Sequence, residues 1–192
     1  IAFHDPDLKR LFNLDLQVKD LTFNEINNLF REKNCRLLTL EEALKEFPSI
    51  HFNIDLKVKE VIQDSIDIVA DLNAFDKVCF ASFRTSHIEK VLQHNQNAIV
   101  SMGIKDVALF KFFKLRNKKI KIMQIPLTWK GIKLLTRNLI QKAHRDNLLV
   151  HVWTINDRET INKLIDFGVN GIVTDEPELL MEIMKERDLI SY

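Results

Sequence analysis

Glycine is scarce in this sequence, with four residues at 103, 131, 168 and 171. None of them builds the Gly-rich turn that cradles a pyrophosphate after the first strand of a doubly wound sheet. Cysteine is scarcer still: Cys35 and Cys79 stand far apart, which excludes a zinc spacing and a disulfide framework and favours a reducing compartment. Cys79 lies in the apolar run Val78 to Ala81, the setting of a buried, reduced thiol. No apolar run approaches the ~18 residues that span a bilayer, and the opening IAFHDPDLKR lacks the basic, apolar and small-residue regions of a signal peptide. No transmembrane segment and a cytoplasmic location are therefore expected. Charge of either sign is not in excess. With 28 basic and 27 acidic residues the net charge is +1, so no global field draws nucleic acid or an anionic membrane, and any bound anion must be held locally. No serine sits in a Gly-x-Ser-x-Gly elbow, and His51, His87, His94, His144 and His151 show no metal-ligand spacing. No linker rich in Pro, Gly or Ser divides the chain, which reads as one domain over residues 1–192.

What the sequence does have is a steady alternation of strands and helices. It is clearest from Leu149 to Leu180. Leu149 to Trp153 is a short apolar, β-branched run suited to a strand buried on both faces. Asn156, with Glu159 three residues on, offers a capping box, Ile161, Leu164 and Ile165 follow at helical spacing, and Gly168 ends the helix near Phe167. Gly171 to Val173 is the next strand, and Asp175 is placed to cap a helix from about Pro177 to Arg187. Upstream, Ile1 to Phe3 reads as a strand stub, and helices are predicted over Leu21 to Phe30 (cap Thr22, Glu25) and Leu37 to Phe47 (cap Thr39, Glu42). Ile50 to Lys57 is the second strand; Phe52, Ile54 and Leu56 alternate there with Asn53, Asp55 and Lys57. In an antiparallel sheet that polar face would simply be wet; in a parallel barrel it points inward and reaches a site at the carboxyl end.

Val58, Val61, Ile62, Ile66 and Val69 form a helix face. Val78 to Ser82, Ala98 to Met102 and Ile120 to Ile125 read as strands, the last stopped by Pro126. Helices fall over Ser86 to Gln93, Asp106 to Leu115 and Asn138 to Arg145, and Leu127 to Leu135 has no assignable structure. Alternation of this kind implies parallel pairing with right-handed crossovers. Seven strands, counting the stub, fall one short of an eight-stranded (β/α)₈ TIM barrel of ~250 residues. The absent strand would be the first, and the lack of Met at position 1 is in keeping with a piece of a longer chain.

VHVWTIN followed by GVNGIVTDEP, the opening His4-Asp5-Pro6, and IHFNIDLK together resemble the glycerophosphodiester phosphodiesterase family. The resemblance implies a barrel of the phosphatidylinositol-phospholipase-C-like type lacking its first strand. It also implies metal-dependent hydrolysis of glycerophosphodiesters to sn-glycerol 3-phosphate and an alcohol, as in lipid and glycerol phosphate metabolism. His4 would be one of two catalytic histidines. Asp55, where the family has Glu, would bind a divalent metal, Mg²⁺ or Ca²⁺, and Lys57 would face the phosphate. Trp153, and Phe83 of the Ser82-Phe83 pair, would wall the pocket. The partner is a small-molecule glycerophosphodiester, and no nucleic acid is expected.

The chemistry suits these residue types. A cation offsets phosphate charge, and histidine, with an ordinary pKa of ~6.5, moves protons near neutral pH. The resemblance places the family's His-Arg-Gly and Glu-x-Asp motifs ahead of His4, and neither stands there in this sequence; the Glu186-Arg187-Asp188 string near the end is not at that place. Taken alone, the chain is therefore expected to be inactive. The alternative is a catalytically inactive barrel acting as a binding or regulatory module.

Overall fold

A computed structural model describes residues 1–190. In chain order the elements are helices α1 (Lys9–Phe12), α2 (Phe23–Glu32) and α3 (Leu40–Glu46), strand β1 (Phe52–Asp55), α4 (Ile62–Asp71), β2 (Val78–Ala81), α5 (Thr85–His94), β3 (Ile99–Val100) and α6 (Ile104–Phe113). They continue with β4 (Ile122–Pro126), β5 (Thr128–Trp129), β6 (Ile132–Lys133), α7 (Arg137–Arg145), β7 (Leu149–Trp153), α8 (Arg158–Asp166), β8 (Gly171–Ile172) and α9 (Pro177–Glu186). The chain divides into two compact units, Ile1–His51 with Gln63–Lys77, and Phe52–Ile62 with Val78–Tyr192.

The first unit is helical. Leu8, Ile26 and Leu37 form its buried centre, with Phe3, Phe12, Leu14, Val18 and Phe30 packed around them. Both predicted capping boxes are present: Thr22 Oγ1 accepts from Glu25 N and Thr39 Oγ1 from Glu42 N, and each glutamate accepts in return from its threonine's backbone. The strand expected at Ile1 to Phe3 is not formed. Ala2 N donates to Leu38 O at 3.0 Å, but that bond extends into no ladder, because Phe3 turns into the unit's centre against Phe30, ring centroids 6.0 Å apart.

The second unit holds the parallel strands. β1 pairs with β2 and β2 with β3, all parallel; β4, β7 and β8 form a second parallel set in that order. A parallel bridge from Ser101 to Ile122 joins them, Met102 N donating to Ile122 O at 2.9 Å. Val78 and Phe80 of β2 and Met123 and Ile125 of β4 are buried, as are Val150 and Val152 of β7; so are Ile88, Phe110, Ile140 and Ile161 on the helices. The sheet is curled. Asn53 of β1 and Gln124 of β4 exchange amide hydrogen bonds, Gln124 Nε2 donating at 2.9 Å and Asn53 Nδ2 at 3.4 Å. On a flat sheet strands three places apart would be about 14 Å apart, beyond the reach of those two side chains. Their polar faces therefore look inward, as the alternation in β1 predicts for a barrel.

Several boundaries differ from expectation for local reasons. Pro126 does not stop β4 but is its last residue, paired with Trp153, since a terminal position needs no further donor. Asn156 is not the cap of α8. Asp157 is, its carboxylate accepting from Thr160 N at 2.8 Å. Nor does Asp175 cap α9, which starts after Glu176 without a side-chain cap. The unassigned stretch 127–135 holds the β5–β6 hairpin, turned at Lys130 and Gly131 with φ of 48° and 78°.

Candidate functional site

Parallel strands send all their carboxyl ends to one edge, and there the second unit gathers its candidate residues. Asp55 closes β1, and Lys57 follows two residues on. Their side chains pair, Lys57 Nζ to Asp55 Oδ2 at 2.6 Å, both partly exposed, so an ammonium is held at the mouth of the sheet. Trp153 closes β7, and Phe83 follows β2. The structure brings these two together edge to face, ring centroids 5.5 Å apart. A third ring, Trp129 from the β5–β6 hairpin, lies on Phe83 at 5.6 Å. Beside them opens a cavity of about 570 Å³ lined by Phe83, Trp129, Ile104, Arg84, Thr85 and Lys105. Trp129 was not legible as a site residue, since its stretch shows neither helical nor strand periodicity.

Beneath the rim, strand ends and loops are fastened. Ser82 Oγ donates to Leu56 O at 2.9 Å, and His87 Nδ1 lies 3.1 Å from Ser82 Oγ and 3.0 Å from Leu56 O. Leu56 O has no proton to give, so the ring carries its hydrogen on Nδ1. This buried pair fixes the peptide between Asp55 and Lys57. Asp106, also buried, accepts from Thr85 Oγ1 at 2.8 Å and Gly103 N at 3.1 Å, and Ile104 N donates to Phe83 O at 2.9 Å. The backbone that presents Phe83 is thereby held. At the last strand Asn156 does what capping residues do elsewhere: Asp175 N and Thr174 Oγ1 donate to its Oδ1 at 2.9 and 3.1 Å, and its Nδ2 donates to Asp175 Oδ2 at 3.0 Å.

His4 belongs to the first unit and, with no strand at Ile1 to Phe3, does not end one. It lines a cavity of about 300 Å³ with Phe3, Arg10, Phe30, Arg36 and Leu37. Its side chain is 75% exposed, and Nδ1 donates to Asp5 Oδ1 at 2.7 Å while Arg10 Nε meets Asp5 Oδ2 at 2.6 Å. Arg10 first, and His4 after it, hold the Asp5 carboxyl below the ordinary carboxylate value. Asp5 as an orienting group was not read from the sequence; its adjacency to His4 was the available signal.

No thiolate nucleophile is on offer at β2, where burial pushes the Cys79 thiol up to about 12. Among the described residues no three His, Cys, Asp or Glu side chains gather closely enough to hold a metal ion, and Asp55 is engaged by Lys57. The residues present do not by themselves fit a divalent cation.

The sequence model of the Glycerophosphoryl diester phosphodiesterase family matches residues 1–179. A glycerophosphodiester phosphodiesterase of Bacillus altitudinis is 24% identical, the match covering 96% of this chain and 80% of that one. Among solved structures, a glycerophosphodiester phosphodiesterase from Parabacteroides distasonis superposes with a TM-score of 0.74 at 20% identity, over 97% of this chain and 78% of the other. An Oleispira antarctica phosphodiesterase in complex with the product sn-glycerol-3-phosphate gives a TM-score of 0.72 at 16% identity, over 95% and 78%. The fold is the TIM barrel of these neighbours, to which the described residues contribute six parallel strands.

Proposed function

The chain belongs to the glycerophosphoryl diester phosphodiesterase family, and from that membership we propose that it serves the hydrolysis of glycerophosphodiesters to sn-glycerol 3-phosphate and an alcohol. The observation that supports the reading is that the Lys57–Asp55 ion pair and the Phe83–Trp153 ring pair each stand at the carboxyl ends of the parallel strands, where barrel enzymes place their chemistry. Lys57 is the phosphate contact: its ammonium, held by Asp55, offsets the diester's charge and, more strongly, the charge that grows as the bond breaks. Trp153 and Phe83, with Trp129 beside them, present ring faces and edges to the glycerol carbons. His4 is the acid–base group, its Nε2 taking or giving the proton while Asp5 fixes the tautomer.

Asp55 is proposed as one ligand of a divalent cation, Mg²⁺ or Ca²⁺; a lone carboxylate paired with Lys57 falls short of a coordination set, so the other ligands would have to come from outside the described residues. Residues 1–192 are proposed to act as one domain; the last two lie outside the described residues. The second reading is a catalytically inactive barrel serving as a binding or regulatory module.

The test is release of sn-glycerol 3-phosphate from glycerophosphocholine. The 192 residues assayed alone are expected to release none, because they hold one of the two histidines that the resemblance implies. Joined to a segment bearing the His-Arg-Gly and Glu-x-Asp motifs, they should release it, and His4→Ala should then cost ~10²–10⁴ in rate. Turnover by the chain alone would sink the two-histidine requirement. Silence of the joined form would favour the module.

A further inference from the structure

The +1 net charge conceals a segregation. Between Val107 and Arg145 stand eleven of the 28 basic residues and none of the 27 acidic ones, which leaves 17 basic against 27 acidic elsewhere. The fold devotes this stretch to α6, β4, the β5–β6 hairpin and α7, all in the second unit. Some of the cations are occupied inside it. Arg116 pairs with Asp146 at 2.5 Å, Lys142 donates to the carbonyls of Phe110 and Lys111, and Lys119 donates to Gln96. Lys114, Lys118, Lys121, Lys130 and Lys133 are exposed and make no direct ion pair among the described residues, although Lys114 and Lys118 lie near enough to Asp146 to help hold its carboxyl below the ordinary value, after Arg116.

The same stretch carries the four most exposed large apolar side chains among the described residues: Phe112 at 73%, Phe113 at 69%, Ile132 at 65% and Leu115 at 60%. They fall in two groups, one at the end of α6 and one on the hairpin, and Lys111 ties the two. Its Nζ donates to Lys133 O and Leu134 O, each at 3.2 Å, so Phe112 and Ile132 flank the ends of a single strap. Apolar groups of this size left in water beside lysines mark a surface made for another phase or partner.

We propose that this face docks on an anionic phospholipid bilayer, the four apolar side chains entering at the boundary of headgroups and acyl chains and the lysines meeting headgroup charge. Charge complementarity selects an anionic occupant, and the apolar groups select the bilayer over nucleic acid. Aliphatic Ile132 and Leu115 find no role against a phosphate backbone, whereas interfacial binding scales with buried apolar area together with electrostatic attraction. The inference stands apart from the hydrolysis reading, since it concerns adsorption and is measured without turnover.

The experiment is co-sedimentation of the chain with vesicles of phosphatidylcholine alone or mixed with phosphatidylserine. Binding is expected to the mixed vesicles and not to the neutral ones, and it should weaken as salt is raised. Lys114→Glu with Lys118→Glu should lower the affinity at least ~10-fold, and Phe112→Ser with Phe113→Ser by ~10-fold or more at every salt concentration. All four positions are exposed, and circular dichroism checks that the variants fold; the lipid and salt dependence of the unmodified chain needs no variant. Equal binding to neutral vesicles, or affinity untouched by both double variants, would overturn the proposal. So would two outcomes without vesicle binding: tight capture of an oligonucleotide, or a dimer in ultracentrifugation that the Phe112→Ser, Phe113→Ser variant abolishes.

Discussion

Asp55 and Lys57 are two residues apart, and the period of a strand alone puts them together. Ser82 and His87 meet at the carbonyl of Leu56, 26 and 31 residues away in sequence, and no local spacing announces it. Asn156 was likewise misread as a cap: Asp157 takes that position, and a partner 19 residues on holds the Asn156 side chain. His151 is another case. It faces inward from β7 opposite Gly171, where an added Cβ would come within 2.7 Å of its ring. Burial holds its pKa below the ordinary 6.5, so the unfolded chain binds the proton more readily than the folded one. Stability must then rise with pH across that interval and be lost as the pH falls from about 6.5 towards the folded value. Thermal unfolding followed from neutral to mildly acidic pH should show this loss, and His151→Gln should flatten the curve relative to the unmodified chain. Parallel curves for the two proteins would contradict it.

At the scale of elements, caps and periodicity were mostly legible where the stabilising contact is local, the Asp157 cap of α8 being the exception. The two threonine–glutamate boxes and the end of α8 at Gly168, φ 79°, fall where they were read. The β5–β6 hairpin was not, because its strands are two residues each and its turn is Lys-Gly, a weaker signal than Asn-Gly for the same positive φ values. The junction of α5 and α6 depended on tertiary contact altogether. Gly103 has an ordinary φ of −74°, so its backbone demands no glycine, but a Cβ there would lie 2.6 Å from Thr85 N and 2.7 Å from Thr85 Cα. Backbone cannot swing aside as a flexible side chain can. Gly103→Ala is therefore expected to destabilise the fold by ~1–3 kcal/mol, read as a lower urea midpoint at unchanged slope, and to loosen the loop that presents Phe83. An alanine variant with the original midpoint would show that α5 and α6 part at little cost. By contrast Arg158, which pairs with Glu182 and Glu186 across exposed α8 and α9 at 2.5 and 2.6 Å, should contribute little, because water screens such surface pairs.

For the whole molecule, alternation of strand and helix gave the parallel pairing with right-handed crossovers, and the lack of a Gly-rich turn, the strand count and the family resemblance chose the barrel over a doubly wound sheet. The strand at the start was over-read, since an apolar tripeptide before His4 fits a strand and a helical unit's packing residue equally well. Charge was under-read. A total near zero says nothing about where the cations lie, and only their course through α6 and the hairpin puts them beside exposed phenylalanines. The central claim is that the carboxyl edge of the parallel strands binds a glycerol phosphate group, with Lys57 on the phosphate and the rings on the carbons. The chain's two tryptophans, Trp129 and Trp153, each contact Phe83 at that edge, so intrinsic fluorescence reports on the site with no label. Titration with sn-glycerol 3-phosphate should give a saturable change that glycerol does not produce and that Lys57→Met abolishes. A flat titration, or the same saturation with Lys57→Met, would contradict it.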